Sequence, residues 1–185
     1  MLDDIKKDAQ TRMTKSIEAL RHDLTRVRTG RASTALVEDL KVNYYGSEMP
    51  LMQVASVTVS DARSLTITPW EKPMVSAVEK AILASDLGLT PNTAGTTIRI
   101  NLPALTEERR RELSKHVHGE GENTKVAIRN IRRDANQQVR DLLKEKQITE
   151  DDVRRTEDEI QKLTDKAIKD VDEVVKLKEQ ELMAV

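Results

Sequence analysis

Lys125-Val-Ala-Ile-Arg-Asn-Ile-Arg-Arg-Asp-Ala-Asn136 is two-faced when wound at the helical period. Lys125, Arg129, Arg132, Arg133, Asn136 and then Arg140 share one side, while Ile128, Ile131, Ala135, Val139 and Leu142 share another. A helix built this way packs through its apolar side and holds a rigid row of cations on the other. Only Asp134 interrupts that row with an acid. No acid-base pair, nucleophile or metal site is organised as tightly anywhere else in the chain. Binding, rather than chemistry, is the expected work.

The same period runs through both ends of the chain. From residue 2 to about 28, Ile5, Ala9, Met13, Ile17, Leu20, Leu24 and Val27 step by three or four and make one buried stripe. Asp3 and Asp4 suit the positive end of that helix dipole, and Gly30 is placed to stop it in a left-handed cap. After Pro103 a second helix is expected, with Thr106 as N-cap, Glu107 and Glu108 in its first turn, and an end near Lys146. Gly119 and Gly121 each weaken it by roughly 1 kcal/mol relative to Ala, so a local bend is expected there, with a break into two helices as the alternative. Thr149-Glu-Asp-Asp152 is a capping-box pattern with Asp in place of the usual Glu. It opens a third helix with Val153, Ile160, Leu163, Ala167, Val171 and Val174 inward.

Residues 31–103 have another texture. Leu40, Val42 and Tyr44 alternate with polar neighbours at strand period, as do Val57 with Val59 and Leu65 with Ile67. Asp61-Ala-Arg63 reads as a hairpin turn between the last two. Pro73 opens a short helix with Met74, Val78, Ala81, Ile82 and Ser85 inward, ended by Gly88. Pro91-Asn-Thr-Ala-Gly-Thr96 reads as a loop, and Ile98, Ile100 and Leu102 as the inner side of a final strand. Trp70, between Pro69 and Pro73, is open to either a core or an exposed position.

One-sided helices of about 27, 40 and 34 residues do not stand alone; packed together they form a rod roughly 40–60 Å long at 1.5 Å per residue. One of them precedes the insert and two follow it. The expected architecture is therefore α+β: an elongated three-helix bundle from residues 1–30 and 104–185, split by a small α/β domain at 31–103, in an L-shaped two-domain protein. The two connections, near 30–31 and 102–104, should lie side by side. Gly30, Arg31, Leu102, Pro103 and Ala104 would then form a hinge. Identical interdomain angles in free and partner-bound states would count against it.

Composition removes several classes of function. Cysteine is absent, so disulfides, thiol catalysis and thiolate metal sites are excluded. Aromatics amount to Trp70, Tyr44 and Tyr45, too few for the stacking platform of single-strand RNA binders. No apolar stretch approaches transmembrane length and Met-Leu-Asp-Asp-Ile-Lys-Lys is no signal peptide, so a soluble cytoplasmic protein with no membrane partner is expected. The formal net charge is −1, yet residues 125–140 hold 5 bases and 1 acid while 148–185 hold 7 bases and 12 acids. Such separation orients a molecule on a polyanion.

The basic side of the second helix has two readings. One is an ordinary solvated surface. The other is a face for RNA phosphates, favoured because few acids stand three or four residues from Arg129, Arg132 and Arg140, and because arginine suits bidentate phosphate contact. Lys125 and Arg133 belong to the same face. Arg110 joins the candidates within Arg109-Arg-Arg111, where Glu107, Glu108 and Glu112 make a surface ion-pair cluster an equal alternative. Arg28 and Arg31, with Arg26, sit at the expected elbow. His22 reads as a surface histidine, and His116 and His118 are two apart and do not face each other; no metal or other cofactor is expected. Gly30-Arg-Ala-Ser33 and Asn92-Thr-Ala-Gly-Thr96 lack the spacing of a phosphate-binding loop. A bundle that buries its own stripes has no need to self-associate, so a monomer is expected.

Four separated segments carry a resemblance. Val27-Arg-Thr-Gly-Arg-Ala-Ser33, Asp86-Leu-Gly-Leu-Thr-Pro-Asn92, Leu102-Pro-Ala-Leu-Thr-Glu-Glu-Arg-Arg110 and Val126-Ala-Ile-Arg-Asn-Ile-Arg-Arg-Asp-Ala135 resemble, in order, the bacterial ribosome recycling factor family. The resemblance implies the same split bundle and inserted module, in an L shape compared to tRNA. It also implies that the chain binds the post-termination 70S ribosome through large-subunit rRNA on the 50S subunit. Elongation factor G with GTP then separates the subunits, releasing mRNA and tRNA, and initiation factor three helps prevent their reassociation. The family's rRNA-contacting arginines fall on Arg129 and Arg132, its elbow motif on Arg28 and Arg31, and its hinge glycine on Gly30. At Gly121 the family more usually has an alanine-like residue. The rival reading without RNA is a helical adaptor or chaperone-like protein that binds other proteins through its long helices.

Overall fold

The computed structural model describes residues 1–27 and 29–184. Its helices are α1 (Leu2–Thr25), the single turn α2 (Leu51–Val54), α3 (Val75–Ala84), α4 (Glu107–Lys144) and α5 (Glu150–Met183). Its strands are β1 (Lys41–Tyr44), β2 (Ser47–Pro50), β3 (Ala55–Asp61), β4 (Ser64–Pro69), β5 (Pro91–Ala94) and β6 (Thr97–Asn101). By packing, the chain divides into two compact units, Met1–Leu24 with Arg111–Val185, and Thr25–Arg110. The second unit so defined reaches a few residues beyond 31–103 at each end.

In the helical unit α1 buries Ala9, Met13, Ile17, Leu20 and Leu24, as its spacing dictates. The helix stops at Thr25, short of the expected residue 28. Gly30 does adopt a left-handed φ of 84°, but too far past Thr25 to be the cap of α1. The Arg28 candidate lies outside the described residues. α4 is unbroken across Gly119 and Gly121, and its seam is Val117, Gly121, Ile128, Ile131, Ala135 and Val139. Leu142 is only half-buried, near the end of the helix.

Gly121 has a packing reason that the sequence pattern hid. A Cβ at this position would lie 2.5 Å from Val175 Cγ2 of α5, so the two helices meet where only hydrogen fits. On α5 the expected inward set is corrected in part. Val153, Leu163 and Val174 are half-buried flanks, and the centre of the seam runs through Thr156, Ile160, Thr164, Ala167, Val171, Val175 and Leu182. Thr164 tolerates burial because its hydroxyl donates to the Ile160 carbonyl at 2.8 Å. The start of α5 is the capping box itself: Asp152 N–H donates to Thr149 Oγ1 at 3.2 Å, and Thr149 N–H donates to Asp152 Oδ2 at 3.0 Å.

The second unit is an antiparallel sheet in the order β3-β4-β6-β5, with a separate β1-β2 hairpin. Tyr45 and Gly46 close the hairpin with φ of 50° and 90°, the positive pair that a tight two-residue turn needs. The core is built from Val37, Val42, Leu51, Leu65, Ile67, Val78, Ile82, Ile98 and Ile100, all fully buried, with Met74 and Leu102 beside them. The loop expected at 91–96 is corrected. Pro91–Ala94 pairs with β6 as edge strand β5, where Pro91 at the first position removes no ladder bond the sheet depends on. Its side chains are largely exposed, which is why no alternation announced it. β2 escaped for the same reason. α3 ends at Ala84, before Gly88, and Ser85 is half-buried rather than part of the inner face. Trp70 is exposed.

Candidate nucleic-acid interface

The outward side of α4 is sorted by its neighbours. Arg129 is exposed, and no carboxylate is within ion-pair distance of it among the described residues. Arg133 is exposed, and its Nη1 donates to the Asn130 side-chain oxygen at 3.4 Å. Arg132 is half-buried against α5, where Nη1 donates to Gln161 Oε1 at 3.0 Å. Its Nε is buried with no hydrogen-bond partner, as is Asn136 Oδ1. These three guanidinium groups keep their charge uncompensated among the described residues, which is what a phosphate-contacting surface requires.

Lys125 and Arg140 depart from the expectation. Lys125 Nζ lies 2.5 Å from Asp172 and 3.2 Å from Glu122, with its side chain 15% exposed. Its pKa is raised, chiefly by the hydrogen bond to Asp172 and against the pull of desolvation. Arg140 Nε pairs with Glu157 at 2.9 Å. Asp172 and Glu157 come from α5, where a count of i±3 and i±4 neighbours on α4 does not see them, while Glu122 is the i−3 neighbour of Lys125. Asp134, the one acid inside the row, pairs with Arg12 of α1 at 3.3 Å. The basic face is therefore narrower than the sequence row, and centres on Arg129, Arg132 and Arg133.

The remaining candidates fall in the second unit. Arg110 is half-buried, with its Nε buried and without a hydrogen-bond partner. Arg31 is exposed. Arg26 is engaged by Asp39 at 2.9 Å. Gly30 needs its glycine for φ rather than for space, since a Cβ would make only ordinary contacts with Leu105 at 3.8 Å. Leu102, expected at the hinge, is packed into the sheet's core. It is 3% exposed within the core, and its N–H donates to the Arg63 carbonyl at 2.7 Å. Pro103 and Ala104, the next two residues, are exposed.

Sequence reasoning missed Gln161. Its contact with Arg132 arises only when α5 packs on α4, although its spacing of four from both Glu157 and Asp165 places it on their face. Among the described residues no cluster of His, Asp or Glu could hold a metal ion, and no helix is long and apolar enough to cross a membrane.

Comparison with known proteins agrees along the whole chain. The family model described as ribosome recycling factor matches residues 20–183. Ribosome-recycling factors of Xanthomonas campestris pv. campestris (strain B100) and Xanthomonas oryzae pv. oryzae (strain PXO99A) are each 72% identical over 185 residues, covering 100% of both chains. A solution structure of a ribosome recycling factor superposes with a TM-score of 0.78 at 42% identity, covering 100% of this chain and 98% of the other. A chain from models of the T. thermophilus ribosome recycling factor and the E. coli elongation factor G bound to the E. coli post-termination complex superposes with a TM-score of 0.66 at 45% identity, covering 100% of both.

Proposed function

The chain belongs to the ribosome recycling factor family, and from that premise we propose how its surface does the family's work. It acts on the ribosome left after termination and, with elongation factor G, takes the complex apart. It is a binding factor and not an enzyme; GTP is hydrolysed by the partner. The α4 face is laid on large-subunit rRNA of the 70S ribosome, where Arg129, Arg132 and Arg133 form charge-assisted bonds to phosphate. The bundle, with its continuous seam of α1, α4 and α5 side chains, transmits force as a stiff body. The second unit offers the surface on which the GTPase pushes, and Gly30 with Pro103 and Ala104 lets it move. Subunits separate, mRNA and tRNA leave, and initiation factor three keeps the subunits apart. All of this takes place in the cytoplasm.

The observation that carries the RNA contact is the set of three arginines on one helix face with no carboxylate on any of them among the described residues. Without a stacking platform, recognition goes to backbone and shape, so affinity should fall steeply with salt. Cosedimentation with salt-washed 70S ribosomes across a potassium chloride series tests this. Binding that is absent, or that ignores salt, would refute the electrostatic docking.

A further inference from the structure

α4 and α5 run antiparallel, and their facing side chains make a ladder. Arg140 meets Glu157 at 2.9 Å and Lys125 meets Asp172 at 2.5 Å, so the outer rungs are cation against carboxylate. The rung between them differs. Arg132 Nη1 donates to the amide oxygen of Gln161 at 3.0 Å, and Gln161 Nε2 in turn donates to Asp165 Oδ1 at 2.8 Å. An amide holds the guanidinium in direction without cancelling its charge, and the same amide engages the next acid along α5. A glutamate at 161 would fill the same space and continue the pattern of the outer rungs.

We infer that Gln161 is a positioning residue for ribosome binding: it fixes the Arg132 guanidinium before docking and keeps its charge available, with Asp165 orienting the amide. The inference rests on the reading that Arg132 meets rRNA phosphate. Holding a long side chain in one rotamer before docking removes part of the ordering cost of binding. Leaving the charge uncompensated preserves one released counterion in the salt dependence.

The experiment compares the full chain with Arg132→Ala, Gln161→Glu and Gln161→Met in cosedimentation with salt-washed 70S ribosomes at several salt concentrations, alongside thermal melting. Gln161→Glu should bind on the order of tenfold more weakly near physiological salt, with a log–log salt slope shallower by about one and melting at or above the parent. Gln161→Met should bind several-fold more weakly with the parental slope, because every cation remains. Parental affinity and slope in Gln161→Glu, with Arg132→Ala defective, would overturn the role of Gln161 and leave the anchoring intact. Parental binding by Arg132→Ala would overturn the anchoring and this inference with it. If Gln161→Glu does not fold, parental affinity in Gln161→Met overturns the inference equally.

Discussion

Arg129 and Lys125 stand four residues apart on α4 and meet different surroundings. Arg129 faces solvent with no acid beside it among the described residues, while Lys125 is drawn down to Asp172 and Glu122. Replacing Arg129 with Ala should weaken ribosome binding and make its log–log salt slope shallower by about one, read by cosedimentation, and leave helicity unchanged. Replacing Lys125 with Met should barely change affinity and lower stability by at most about 1 kcal/mol, since Asp172 stays largely in solvent. The stability effect has a definite pH dependence. The folded pKa of Lys125 is raised above the ordinary 10.5, so the pair's contribution is complete below that value and fades as pH rises through the folded one. Melting temperatures of parent and variant should differ at neutral pH and converge in strongly alkaline buffer. A gap that stays constant across that range would show that the ammonium charge is not what stabilises.

At the scale of elements, the contact between α4 and α5 at Gly121 decides more than helix propensity does. On an exposed face Gly→Ala would stabilise by roughly 1 kcal/mol. Here the added methyl would overlap Val175 Cγ2, and Val is stiff on a helix. Overpacking of this kind costs about 1–3 kcal/mol, so Gly121→Ala should lower the melting temperature. Adding Val175→Ala should recover much of the loss, giving a favourable coupling of about 0.5–3 kcal/mol in a double-mutant cycle. Strictly additive losses would mean that the overlap is relieved elsewhere. The start of α5 gives a simpler test: Thr149→Ala removes the hydroxyl that accepts from Asp152 N–H and should cost about 1 kcal/mol, measured by chemical denaturation. That cap was legible in the sequence because it is a local pattern of four residues. On the α5 seam Ile160, Ala167 and Val171 were legible too, but Thr156 and Thr164 were not, because they are polar by composition and inward only through packing.

For the molecule as a whole, the split bundle was legible because the hydrophobic period changes near Gly30 and changes back after Pro103. The extent of the joint was not, since Leu102 is held by the sheet's core and by the Arg63 carbonyl. Pro103 and Ala104, the exposed residues that follow it, are where we propose the flexible connection. Gly30 occupies φ of 84°, which proline, locked near −65°, does not reach. Gly30→Pro should therefore reduce recycling with elongation factor G more than it reduces ribosome binding. Equal losses in the two assays would argue against a mechanical step separate from docking.

Sequence alone determined the long helices, the caps at Thr106 and Thr149, the strands β1, β3, β4 and β6 and the row of bases, because each follows from periodicity or short-range hydrogen bonding within a few residues. Four ordered segments also carried the family. Tertiary structure alone decided which bases keep their charge, because Glu157, Gln161 and Asp172 reach α4 from a different helix. It also decided why Gly121 is glycine, since the atom that forbids a side chain there belongs to Val175. Contacts between residues distant in the chain depend on how helices pack, and no local pattern encodes that.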